Sequence, residues 1–129
     1  MNILLKPTKL IKYSLMAFII GTSVVVSHQE KAWAGYGAIS YSPSQKTNGI
    51  SNNKVSQDSA VEEAKQDCEK QGGKNCKTRW VRNGCVVLMV NSSNAQYSFG
   101  SGISLSSAEN DAKNNCQECE ITRYLCTSN

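Results

Sequence analysis

The sequence predicts an α+β domain: two tandem strand–strand–helix–strand units forming one small disulfide-stapled body. Three observations point there. The first is an internal repeat, in which residues 36–68, moved forward by 48 positions without a gap, superpose on residues 84–116. Ser56, Ser59, Ala60, Ala64, Lys65 and Cys68 then fall on Ser104, Ser107, Ala108, Ala112, Lys113 and Cys116, and Val55 falls on Ile103. After the cysteine the match resumes at an offset of 44, where Thr78-Arg79-Trp80-Val81 meets Thr122-Arg123-Tyr124-Leu125. The second observation is that each copy carries short strand-like runs around one helical stripe of small residues. The third is that all six cysteines lie in the part of the chain that follows an export signal. A period seen only twice describes a duplication, about 36–83 and 84–126, and no solenoid.

The chain begins with a targeting segment. Lys6, Lys9 and Lys12 precede an apolar stretch from about Tyr13 to Val26, and Ala32-Trp33-Ala34 supplies a small-residue cleavage site. This is the layout of a secretory signal peptide over residues 1–34. The apolar stretch is shorter than the roughly 20 residues a spanning helix requires. Cleavage after Ala34 removes four of the 14 cations (Lys6, Lys9, Lys12 and Lys31) and one of the 10 acids (Glu30). Residues 35–129 keep 10 cations against 9 acids, a net charge of +1, so the formal charge of +4 belongs mostly to the leader. The only histidine, His28, departs with it. Serine–histidine triads, Cys–His pairs and histidine-ligated metals are thereby excluded from the mature domain. The domain is expected to be secreted or periplasmic, with no membrane span after cleavage.

In the first unit, strands over Gly37–Ser42 and Gly49–Asn53 flank a turn at Pro43-Ser44-Gln45-Lys46. Proline suits that turn because its ring presets φ and it has no N–H to lose. A helix follows from about Ser59 to Gln71, with Asp58 or Ser59 as its cap and Gly72-Gly73 as its stop. The third strand contains Thr78-Arg79-Trp80-Val81. The second unit opens on the apolar run Val86-Val87-Leu88-Met89-Val90, expected of a strand buried on both faces. Asn91-Ser92-Ser93-Asn94 turns it into Gln96–Gly100. The second helix runs from Ser107 to Asn115, with Ser106 and Glu109 as a capping box. The rows Ala60/Ala64/Cys68 and Ala108/Ala112/Cys116, at i, i+4, i+8, let each helix lie close on a sheet, which is packing rather than chemistry.

Export places the six cysteines in an oxidising compartment, where three disulfides are the default. Cys68 matches Cys116, and each precedes a cysteine at the start of the next strand. Equivalent positions should bond alike, which predicts Cys68–Cys76 and Cys116–Cys119. Cys85 aligns with Gly37 and Cys126 with Arg82, so the two unmatched cysteines are left for each other. A domain of 95 residues buries only roughly 60–65% of its unfolded surface, and such staples compensate for a modest core.

The opening Gly35-Tyr36-Gly37-Ala38-Ile39-Ser40-Tyr41-Ser42, the Ala-rich helix ending in cysteine, Arg82-Asn83-Gly84-Cys85 and the shortened second copy ending at Cys126 resemble one family. It is the family of domain of unknown function 4189, small exported bacterial domains with paired cysteines. Tyr36 stands where a tryptophan is expected, and the Gln117-Glu118 loop is short. The resemblance covers essentially the whole mature chain and implies export and a disulfide-bonded fold. It implies no enzymatic activity.

Candidate chemistry is sparse. Cys116-Gln117-Glu118-Cys119 has the CxxC spacing of thiol–disulfide oxidoreductases, but those place the reactive thiol at a helix N-terminus. Here Cys116 ends a helix, with Glu118 and Glu120 adjacent, a setting that disfavours a thiolate. Glu109, Asp111, Glu118 and Glu120 could supply a glycosidase pair, yet none lies in an apolar setting, and Glu109 and Asp111 do not face each other on a helix. Serines are plentiful, and without a histidine none forms a triad. The sequon Asn91-Ser92-Ser93 matters only in a glycosylating host. Lys70, Lys74, Lys77, Arg79 and Arg82 form the one charge concentration, with Trp80 among them.

These readings lead to a monomeric binding or interaction domain without catalytic residues, cofactor or metal. Its partner would be a protein or an anionic envelope component, and nucleic acid does not suit an exported domain of net +1. The alternatives are an inhibitor or immunity-type protein against an envelope-degrading enzyme, and after that a secreted hydrolase or thiol-redox protein. The expected partner-binding residues are Lys77, Arg79 and Arg123. Strand alternation sets Arg79 and Arg123 opposite Trp80 and Tyr124. The aromatics should then pack under the helices while the arginines look outward as a paired basic feature.

Overall fold

A computed structural model describes residues 35–127, so the predicted signal peptide, residues 1–34, lies outside the described residues. Six strands and two helices follow in the order β1 (Tyr36–Ser42), β2 (Thr47–Lys54), α1 (Gln57–Lys70), β3 (Lys77–Arg82), β4 (Cys85–Val90), β5 (Tyr97–Gly102), α2 (Leu105–Lys113) and β6 (Glu120–Cys126). The predicted pair of strand–strand–helix–strand units is present. Each unit closes its own antiparallel sheet of three strands, ordered β2-β1-β3 and β5-β4-β6.

The two sheets stack face to face. Ile39, Tyr41 and Val81 from one sheet form a single cluster with Val86, Leu88 and Leu125 from the other. Tyr41 packs its ring 5.2 Å from that of Tyr97, and burial lifts its hydroxyl above the ordinary phenol range, with neighbouring Tyr97 adding to the effect. Each helix covers the outer face of its own sheet. Ala60 and Ala64 lie on Ala38, and Ala108 and Ala112 lie on Val87 and Met89. The layers therefore run helix, sheet, sheet, helix. β1 and β4 are the central strands and are buried on both faces, which explains why Val86–Met89 is apolar throughout.

The small-residue stripes do what the spacing predicts. Each helix comes so close to its sheet that a Cβ on Gly49 would overlap the backbone of Ala64 and Cys68, and one on Gly100 that of Ala108 and Ala112. Serines in the edge strands reinforce the contact: Ser51 Oγ donates to the Ala60 carbonyl at 2.6 Å and Ser98 Oγ to that of Ala112 at 3.0 Å. Such bonds shorten the gap without leaving a buried hydroxyl unpaired.

Both helices begin earlier than predicted. The cap of α1 is Ser56, in place of Asp58 or Ser59, and its hydroxyl accepts from Ser59 N at 3.1 Å. The cap of α2 is Ser104, not Ser106, and the reciprocal partner is Ser107 rather than Glu109. Capping requires an extended backbone at the cap itself, and Ser56 and Ser104 have φ of −147° and −139°. Glu109 instead pairs with Lys113 at 3.3 Å. At the other end of α1, Gly72 takes φ +98°, while Gly73 N donates to the Cys68 carbonyl and Gly72 N to that of Glu69. That is the Schellman arrangement glycine permits.

The duplicated units also register differently from the gapless alignment. Ala38 pairs with Ser51 and Trp80, whereas Val87 pairs with Gly100 and Tyr124. Central strands and hairpins are thus offset by 49 positions, against 48 for the helices. A bulge absorbs the difference, since Tyr36 pairs with Lys54 but Ala38 with Ser51, so β2 holds one extra residue near Asn53, whose φ is +54°. A one-residue slip exchanges the faces of a strand. It moves the true counterpart of Cys85 from Gly37 to Tyr36.

The three disulfides are Cys68–Cys76, Cys85–Cys126 and Cys116–Cys119, as predicted. The first joins the end of α1 to the approach to β3, the second crosses from β4 to β6, and the third closes the turn between α2 and β6. Cys116 lies beyond the last residue of α2, in that turn.

Candidate functional site

The stacking of the sheets decides where the predicted binding residues stand. The face of β3 and β6 that carries Arg79 and Arg123 is turned toward the other sheet, because their strand partners Ile39 and Leu88 lie in the inter-sheet core. Arg79 Nη2 bonds Ser101 Oγ at 3.0 Å and lies 3.4 Å from Asp111 Oδ2, whose carboxylate also accepts from Ser101 N at 3.0 Å. It is a clasp from the first half onto the second. Arg123 sits elsewhere, lining a cavity with Thr47, Asn48, Asp67 and Gln71. Lys77 is exposed at the start of β3. The three predicted residues do not converge, and the outward-looking arginine pair is absent.

The aromatics occupy the face predicted for them but are not covered. Trp80 is opposite Ala38 on the helix side of its sheet, yet β3 is an edge strand and Trp80 remains 39% exposed. Tyr124, opposite Val87 on edge strand β6, is 53% exposed. Each helix seats on the central strand and on one edge strand, β2 or β5, and leaves the opposite edge, β3 or β6, less covered.

Exposed Trp80, half-buried Tyr36 and exposed Arg82 form a cluster. Its ring centroid is 6.1 Å from that of Tyr36, and the Arg82 guanidinium lies 5.3 Å from the Tyr36 centroid. A guanidinium at that distance over an aromatic face is held by the ring quadrupole. The offset of 48 hid the equivalence of Tyr36 to Cys85, although the offset of 44 had already related Arg82 to Cys126. Tyr36 is opposite Arg82 just as Cys85 is opposite Cys126.

The carboxylates that were candidates for acid–base chemistry are dispersed. Asp111 is engaged by Arg79 and Glu109 by Lys113. Glu118 and Glu120 border a second cavity, of about 300 Å³, with Asn91, Ser92, Ser93 and Thr122. Among the described residues no group of three or more His, Cys, Asp or Glu side chains is placed to hold a metal ion. No described helix is long and apolar enough to cross a membrane.

Fold and surface together define a class: a small disulfide-stapled sandwich of two sheets between two helices, with an aromatic–basic cluster on one sheet edge. Residues 36–126 match the model of the family described as Domain of unknown function (DUF4189), and the chain belongs to that family. It is also similar to the NMR structure of Rv1813c from Mycobacterium tuberculosis, with a TM-score of 0.59 and 29% identity, over 72% of this chain and 75% of that one. No curated protein gives a significant match.

Proposed function

We propose that residues 35–129, released by cleavage after Ala34, act outside the cytoplasm as a non-catalytic binding module that meets a macromolecular partner through Trp80, Tyr36 and Arg82. The observation that carries this reading is the 39% exposure of Trp80 beside a second aromatic ring and a guanidinium. Trp, Tyr and Arg are the residues that dominate measured interface energies, because each buries a large rigid surface and keeps a polar handle. The three disulfides support export, since such bonds persist in oxidising compartments. One of them, Cys68–Cys76, ties the approach to β3, the strand that carries Trp80 and Arg82, to the end of α1, so less conformational freedom would be lost on association.

The test is capture of partners from envelope extract with the mature domain and with Trp80→Ala. Loss of the captured partner, with a far-ultraviolet spectrum and melting temperature close to wild type, supports the surface. Retained capture by Trp80→Ala removes it, and turnover of a cell-wall substrate by the mature domain would replace the binding reading with an enzymatic one.

A further inference from the structure

A second site, apart from the aromatic edge, lies where the start of β2, the end of α1 and β6 meet. Thr47, Asn48, Asp67, Gln71 and Arg123 line a cavity of about 270 Å³ there. That is slightly below the roughly 300–1,000 Å³ typical of pockets for drug-sized ligands. Two of its side-chain oxygens, Thr47 Oγ1 and Asn48 Oδ1, are buried and make no hydrogen bond within the protein. Buried polar atoms of this kind are few in a folded domain and each calls for an explanation.

The duplication sharpens the point. Arg79, the counterpart of Arg123, is engaged by Asp111 and Ser101. The counterpart of Asp111 at the helix offset of 48 is Glu63, and Glu63 is held by Lys54 Nζ at 2.7 Å. Arg123 makes no salt bridge among the described residues. Asp67, in the same wall, is fixed in place: its Oδ2 accepts from Ile50 N at 3.0 Å, and Gln71 Nε2 approaches Oδ1 at 3.5 Å. One half of the molecule closes its inter-sheet arginine on a carboxylate, and the other leaves it facing a polar cavity.

The chemistry of the wall selects the ligand. Arg123 presents only donors and a positive charge, which suits a carboxylate. Asp67 presents a carboxylate, with the buried oxygens of Thr47 and Asn48 behind it, and this suits an ammonium group. A simple anion would meet Asp67 and a simple cation would meet Arg123, so neither is matched alone. No aromatic ring lines the cavity to stack on a sugar. We propose that this cavity binds a free α-amino acid, with its carboxylate on Arg123 and its ammonium group on Asp67.

The experiment is titration of the disulfide-intact mature domain with individual free amino acids, followed by amide resonances in two-dimensional NMR spectra. Acetate and methylammonium serve as the two half-ligands. The expected result is saturable movement of the Asn48, Asp67 and Arg123 resonances with at least one amino acid, and about tenfold or greater weakening in Arg123→Ala, as loss of a charged hydrogen bond implies. Arg79→Ala should bind as wild type does. Absence of saturable movement at millimolar amino acid overturns the proposal. So does an Arg123→Ala affinity equal to wild type, or acetate binding as tightly as the best amino acid, which would make the cavity an anion site. These readouts do not involve Trp80, so they stand or fall separately from the binding surface above.

Discussion

In the second half of the domain, Cys85 and Cys126 face each other across β4 and β6 and are joined covalently. In the first half the same cross-strand position holds Tyr36 and Arg82, joined only by a guanidinium lying over a ring at 5.3 Å. The arginine three residues earlier in the last strand of each unit differs as well, engaged by Asp111 in one copy and open to a cavity in the other. The difference teaches that duplication conserved the helix-on-sheet packing while the edge positions diverged in chemistry. The covalently closed half is suited to holding the fold, and the half with the open aromatic edge is suited to meeting a partner.

The largest test of this comparison is the disulfide. Cys85–Cys126 closes a loop with a separation of 41 residues, and Cys85→Ser with Cys126→Ser should cost about 4 kcal/mol in the chain-entropy model. Arg82→Ala, at the equivalent position, should cost only about 0.5–1 kcal/mol, the worth of an exposed cation–π contact. Chemical denaturation of both variants checks the ratio, and similar losses would abolish the distinction between a structural half and a contact half. Next come the glycines. Gly49→Ala and Gly100→Ala each drive a methyl group into helix backbone, and each should cost about 1–3 kcal/mol by overpacking. Equal costs would show that helix seating is the shared feature of the two copies. The smallest effect is at the caps. Ser56→Ala and Ser104→Ala should each lose about 1 kcal/mol by thermal melting, with Ser104 the larger because its bond to Ser107 is reciprocal.

Much of the fold was legible from local pattern. The i, i+4, i+8 rows of small residues located both helices and the face each presents, because helical periodicity is written into consecutive residues. The cysteine pairing followed from the repeat, since positions related by duplication inherit the same neighbours. The caps were misplaced by two or three residues, although the repeat already related Ser56 to Ser104 and Ser59 to Ser107. Several serines and acids compete for a helix start, and only the backbone conformation selects among them.

The site was less legible. Alternation along Thr78–Val81 and Thr122–Leu125 separated arginines from aromatics correctly, but it could not say which face would meet water. Nor could an alignment without a gap register the bulge in β2 that reunites Tyr36 with Cys85. The sequence by itself determined the strand–strand–helix–strand units, their small-residue seats and the three cysteine pairs, all set by spacings within a single repeat. Only the tertiary structure decided that the two sheets stack on each other. That contact buries the second face of β1 and β4 and turns the arginine face of β3 and β6 toward the other sheet, while the strand order leaves Trp80 on an edge. The reason is physical: local periodicity states which residues share a face, whereas the partner of that face depends on apolar burial summed over residues far apart in the chain.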